Sequence, residues 1–132
     1  MSYSEEEKEK FKQEMKSRIY KWSVRLVKFL KEVDKRSDHL IKPLLNQGIR
    51  SGTSVCANYV EAIASPTIKD FRKFLSYALK SCNETKYWLS LIDDTEIDKS
   101  EELSWLLQEA MELSRILGKS VSTMYKENKN NL

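Results

Sequence analysis

The residues best equipped for chemistry in this chain are Arg50, Glu61 and Glu84, a cation and two carboxylates, with Ser54 and Asn58 between the first two. Gln47, Arg50, Ser54, Asn58 and Glu61 recur by threes and fours, which lays them along a helix as one polar ladder. Arg50 can pair with Glu61 or with Glu84, either as a structural ion pair or as the wall of a pocket between helices. An enzyme site there needs a nucleophile or a general base, and neither stands near in the sequence. Structural pairing is therefore expected.

Other signatures of catalysis are missing. Glu84 lacks the i, i+3 Glu/His pattern of di-iron bundles, His39 falls in a turn, and no phosphate-binding loop, dinucleotide turn or Ser/His/Asp signature occurs. Cys56 and Cys82 fit no metal-ligand spacing and are too few for a disulfide framework, so buried free thiols are expected. No catalytic residue, metal or cofactor is expected.

The elements that carry these residues follow from the apolar period. Phe11, Met15, Ile19, Trp22, Leu26, Phe29 and Val33 form one stripe of a first helix, opened by Ser4 with Glu7 three residues on, the pattern of a capping box. A second helix begins in earnest at Pro43, after a turn over 34–38. A third is announced by Ser65 and Pro66 and carries Phe71, Leu75, Ala78, Cys82, Thr85, Leu89 and Ile92 on one face. The stripe of the fourth is Leu103, Leu106, Leu107, Ala110, Leu117, Val121 and Met124, followed by a tail over 127–132 that is expected to fray. Helices at about 4–34, 42–63, 66–92 and 98–126, joined by short connections, bury their stripes most simply as an antiparallel up-down-up-down four-helix bundle of one domain.

Composition agrees. Apolar residues at 40% and charged residues at 33% are the balance of amphipathic helices, and a net charge of +3 over 132 residues is mild. No apolar run approaches the roughly 18 residues that span a bilayer, and the mixed-charge start MSYSEEEKEK is no secretory or transit signal, so a cytoplasmic protein without membrane contact is expected.

Faces remain after the core is filled. Arg18, Lys21, Arg25 and Lys28 form a basic stripe on the first helix, with two readings: a solvated face, or a surface that contacts the phosphates of nucleic acid. Aromatic residues do not interleave with these positions, which leaves base stacking out. Tyr20, Val24 and Val27 cluster away from the core stripe of that helix, Phe74, Tyr77 and Trp88 lie beside that of the third, and Trp105, Leu113 and Ile116 lie off the seam of the fourth. Aromatic residues on the second faces of three helices suggest self-association. On the second helix, Gly48, Ser51, Gly52, Ser54 and Ala57 make a small-residue face. Each interior glycine costs roughly 1 kcal/mol against alanine, and tight helix packing is the expected compensation.

At the second and third helices the residues become familiar. Arg50-Ser51-Gly52-Thr53-Ser54-Val55, Ala57-Asn58 and Glu61-Ala62, followed by Asp70-Phe71, Ala78-Leu79-Lys80, Glu84-Thr85 and Tyr87-Trp88-Leu89, resemble the four-helix bundle protein family. That family is also known from proteins encoded in intervening sequences of large-subunit ribosomal RNA genes. The resemblance runs without a gap over 44–92, and outside it extends only to helix length and pattern. It implies a small bundle that assembles as a homopentameric ring and has no established enzymatic activity. A related branch, the accessory variability proteins of diversity-generating retroelements, forms basic rings that associate with a reverse transcriptase and with nucleic acid. The resulting expectation is a non-enzymatic, ring-forming adaptor whose partners are its own copies and RNA, DNA or a reverse transcriptase; the alternative is a purely structural or protein-interaction module.

Overall fold

Four apolar stripes of this length leave water together only by facing one another. In the computed structural model, which describes residues 3–130 and side chains as far as residue 126, they do so on helices α1 (Glu5–Lys35), α2 (Lys42–Ala64), α3 (Ile68–Asp94) and α4 (Glu101–Asn130). A short 3-10 turn, His39–Ile41, precedes α2, and no strand occurs among the described residues. The fold is an all-α, antiparallel four-helix bundle. Its direction can be read from pairs across the core: Leu30 lies against Gly48 while Leu26 lies against Gly52, so numbers rise on α2 as they fall on α1. None of the described helices is long and apolar enough to cross a membrane.

The ends are set by local hydrogen bonds. Ser4 and Glu7 form the expected capping box. Two other starts differ from expectation. The Ser65 hydroxyl donates back to the Glu61 carbonyl at 2.7 Å, and Ser65, held extended ahead of Pro66, ends α2, which leaves Thr67 to cap α3 by accepting from the Asp70 amide at 3.1 Å. Similarly, Asp98 accepts from the Ser100 amide, and Ser100 then receives the Leu103 amide, so α4 begins at Glu101 rather than at Asp98. Its backbone stays helical to Asn130, four residues beyond the expected end; Asn131 and Leu132 lie outside the described residues. Between α3 and α4, Glu96 takes a left-handed conformation at φ 60°, and the Ile97 amide reaches back to the Ile92 carbonyl at 3.1 Å, a helix stop usually built on glycine.

The expected core stripes are largely buried, and the exceptions lie at the edges. Phe11 is 47% exposed, because the stripe reaches it where α1 runs past the packed part of the bundle. Leu113 is fully buried, because a true helical period of 3.6 carries the α4 core face through it, seven residues on from Leu106. Both cysteines are free and buried, as expected. Burial pushes the Cys82 thiol up to about 12, and its Sγ contacts the Ala110 carbonyl at 3.4 Å.

Spacing between helices is uneven. The contact of α2 with α3 is the most extensive in the bundle and that of α1 with α4 the sparsest. Small residues seat α2 against both neighbours, the glycines facing α1 and Ser51 facing α3. Gly48, Ser51 and Gly52 are buried, and the Ser51 and Thr85 hydroxyls meet at 2.9 Å between α2 and α3. A Cβ on Gly52 would lie 2.0 Å from Leu26 Cδ2, whereas one on Gly48 would lie 3.2 Å from Leu30 Cδ1. Large side chains explain the open seam: Trp22, fully buried, crosses it and donates its indole N–H to the Leu106 carbonyl at 3.1 Å.

These distances set opposite outcomes for two alanine substitutions. In Gly52→Ala the overpacking of about 1–3 kcal/mol outweighs the roughly 1 kcal/mol of helix propensity gained, so urea unfolding should show a loss. Gly48→Ala should be neutral or mildly stabilising. Equal effects at the two positions would contradict the close approach at Gly52.

Candidate functional site

The polar ladder of α2 and the aromatic side of α3 come together on one outer face. Arg50 closes on the Glu84 carboxylate, its Nε donates to Gln47 Oε1 at 2.9 Å, and the Trp88 indole N–H donates to Glu84 Oε2 at 3.1 Å. Glu84 is thus the partner of Arg50, and Glu61 remains exposed one side along the ladder. Ser54 donates to the Arg50 carbonyl at 2.7 Å and Asn58 to the Ser54 carbonyl at 2.9 Å, so both bond within their own helix. Phe74 and Tyr77 stack edge to face at 6.0 Å, as do Tyr87 and Trp88 at 4.8 Å. The Arg50–Glu84 pair is one of the two that the sequence offered, while the bonds of Gln47 to Arg50 and of Trp88 to Glu84 that extend it were not read from spacing.

The basic stripe of α1 is divided by the fold. Arg18 makes two parallel 2.8 Å hydrogen bonds to Glu109, and Arg25 forks onto Glu102 while its guanidinium lies 3.4 Å above the Trp105 ring. These are bridges across the open α1–α4 seam. Lys21 and Lys28 stay exposed. Arg18 and Arg25 hold their protons more tightly than usual, first because of the hydrogen bonds to Glu109 and Glu102. A third bridge, Arg36 to Asp98, closes the end of the same seam. Sequence reasoning saw the cations and missed the carboxylates, whose spacing of seven on α4 mirrors the spacing of seven between Arg18 and Arg25.

The remaining faces were read from single helices and now have surroundings. Tyr20 is 62% exposed, with Val24 and Val27 half-buried beside it. With Gln13, Lys16, Ser17, Cys56 and Val60, Tyr20 lines a furrow of about 510 Å³ between α1 and α2. Phe74 and Trp88 are half-buried, Tyr77 is 48% exposed, and Trp105 lies beneath Arg25 instead of facing outward free. Among the described residues no three His, Cys, Asp or Glu side chains gather to hold a metal. The arrangement offers charge pairs, hydroxyls already bonded to backbone and exposed rings.

Comparison with known proteins adds the lineage. A family model described as the 23S rRNA-intervening sequence protein matches residues 12–119. The chain belongs to that family. A crystal structure of an unknown-function member of the S23 ribosomal protein family from Bacteroides thetaiotaomicron matches at 29% identity and TM-score 0.74, over 84% of this chain and 97% of the other. No curated protein matches. The intervening-sequence family match takes in all of α2 and α3, the two helices that form the polar ladder, together with most of α1 and α4.

Asp98 gives the seam a pH signature. Burial works against its charge, but hydrogen bonds from the Ser100 hydroxyl, the Ser100 amide and Arg36 outweigh burial and hold the carboxyl below its ordinary range. A carboxyl lowered by folding contributes stability above its unfolded value and loses it as pH falls through the folded one. Urea unfolding from pH 6 to pH 3 should therefore fall more steeply for the native chain than for Asp98→Asn. Parallel curves would remove Asp98 from the account.

Proposed function

We propose that this protein is a non-enzymatic adaptor that assembles from copies of itself into a closed ring and contacts nucleic acid. The observation that carries the reading is the α1–α2 furrow, where Tyr20 and Val60 stand 62% and 37% exposed beside Cys56, next to the half-buried Val24 and Val27. Apolar groups placed side by side in water favour a matching surface, and closed symmetry covers every such face at once. A pentamer is the ring suggested by the family resemblance, and the interior of the cell is the setting. The family description, tied to intervening sequences of 23S rRNA, supports a nucleic-acid context. On α1 that contact falls to Lys21 and Lys28, exposed and without interleaved aromatic rings, an arrangement suited to the backbone of a duplex. A polymerase such as a reverse transcriptase would be met through the same nucleic acid.

The second reading, a purely structural or protein-interaction module, draws on the two arginines, since Arg18 and Arg25 spend their charge on Glu109 and Glu102.

Light scattering coupled to size exclusion decides assembly: about five times 15.5 kDa is expected at micromolar concentration, with Tyr20→Glu and Val60→Glu lowering the mass. A strict monomer refutes the ring. Anisotropy of a labelled RNA hairpin over a salt series then decides the partner. A salt-dependent affinity that Lys21→Glu with Lys28→Glu weakens supports the adaptor, and no binding at low salt leaves the structural module.

A further inference from the structure

The solvent side of α3 differs from that of α1. Lys69, Lys73 and Lys80 project from it at steps of four and seven, and Tyr77 and Tyr87, 48% and 56% exposed, fall between and beyond them. Arg72 and Lys86 flank this row on the α4 side, Arg72 against the Tyr125 ring and Lys86 on the Ser114 hydroxyl. From Lys69 to Tyr87 the helix holds five cations, Lys69, Arg72, Lys73, Lys80 and Lys86, against the two carboxylates Asp70 and Glu84, an excess of three that equals the net charge of the whole chain. Both carboxylates are engaged: Glu84 by Arg50 and Trp88, and Asp70 by Lys73 at 3.7 Å, an exposed pair of the kind worth little. Glu61 borders the face from α2. Lys69 and Lys80 take part in no ion pair among the described residues.

The rings on this face are prepared for stacking. Tyr77 is braced edge to face by Phe74, and Tyr87 by Trp88, which is itself tied to Glu84. A braced ring loses little freedom when a base settles on it, and stacking is worth about 1–3 kcal/mol per base. From Lys69 to Lys86 the helix rises about 26 Å, the length of roughly seven stacked nucleotides at about 3.4 Å each. Asn83, exposed on the same side, leaves its amide available to the 2′-hydroxyl that distinguishes RNA from DNA.

We infer that the outer face of α3 binds single-stranded RNA, its lysines tracking phosphates and Tyr77 and Tyr87 stacking on bases. This site is separate from the α1 stripe and does not rest on it. A duplex offers no free base faces, so the α3 row favours the unpaired strand.

The test uses the full-length protein and a fluorescein-labelled 12-nucleotide oligouridine, read by anisotropy from 25 to 200 mM salt. Binding should weaken with salt with a logarithmic slope of about −3, as expected for roughly four phosphates on a single strand. Lys73→Glu with Lys80→Glu should weaken binding at least ten-fold and flatten the slope. Tyr77→Ala with Tyr87→Ala, which removes two stacked bases, should weaken it at least about 30-fold while the slope stays unchanged, the separation a stacking role demands. Lys21→Glu with Lys28→Glu should leave oligouridine binding as it was, which distinguishes this site from the α1 reading. All of these residues are exposed, and circular dichroism checks that each variant folds; Lys80→Ala serves if a reversal does not. Native affinity in the α3 variants, loss only in the α1 variant, equal affinity for oligothymidine, or a tyrosine variant that alters assembly mass but not RNA affinity would each overturn the inference.

Discussion

The close seat of Leu26 against Gly52 is the constraint on which the rest of the bundle depends. Leu26 fills the space a side chain at 52 would take, and on the next flank of α2 the Ser51 hydroxyl meets Thr85, so α2 is drawn toward α1 and α3 together. With α2 held in, the widest gap falls between α1 and α4. That gap is filled by the largest buried side chain, Trp22, and sealed by long ones reaching across: Arg18, Arg25 and Arg36 to Glu109, Glu102 and Asp98. Small residues on one helix and long charged residues on two others are thus parts of one packing solution.

Much of the fold was legible because a helix repeats its surroundings every three or four residues. The α3 stripe from Leu75 to Ile92 is buried at every expected position, and the Ser4 capping box stands where its spacing puts it. Legibility failed where a local rule had two claimants. Ser65 looks like a cap, yet its hydroxyl serves the preceding carbonyl, and Thr67, with Asp70 three residues on, takes the role. Charges were the least legible, since a single helix displays its own cations without the carboxylates that will answer them. Arg18 and Arg25 read as one stripe with Lys21 and Lys28, and only the antiparallel α4 separates the bonded pair from the solvated pair.

That separation bears on function. Carboxylates on α4 take the arginines out of circulation on one side of the molecule, while on the other side Lys69, Lys73 and Lys80 share α3 with exposed rings. Inside the bundle, loss of water pushes up both the Cys82 thiol and the Tyr59 hydroxyl.

The unevenness of the seams also gives the molecule a grain. Partly exposed charge pairs let go at modest cost, whereas the glycine-lined contact of α2 with α1 and the hydroxyl bridge of α2 to α3 have no such weak stage. Amide protons of α4 should exchange with solvent ahead of those in the α2–α3 hairpin. The bundle would then breathe from one side, like a book opening away from its spine.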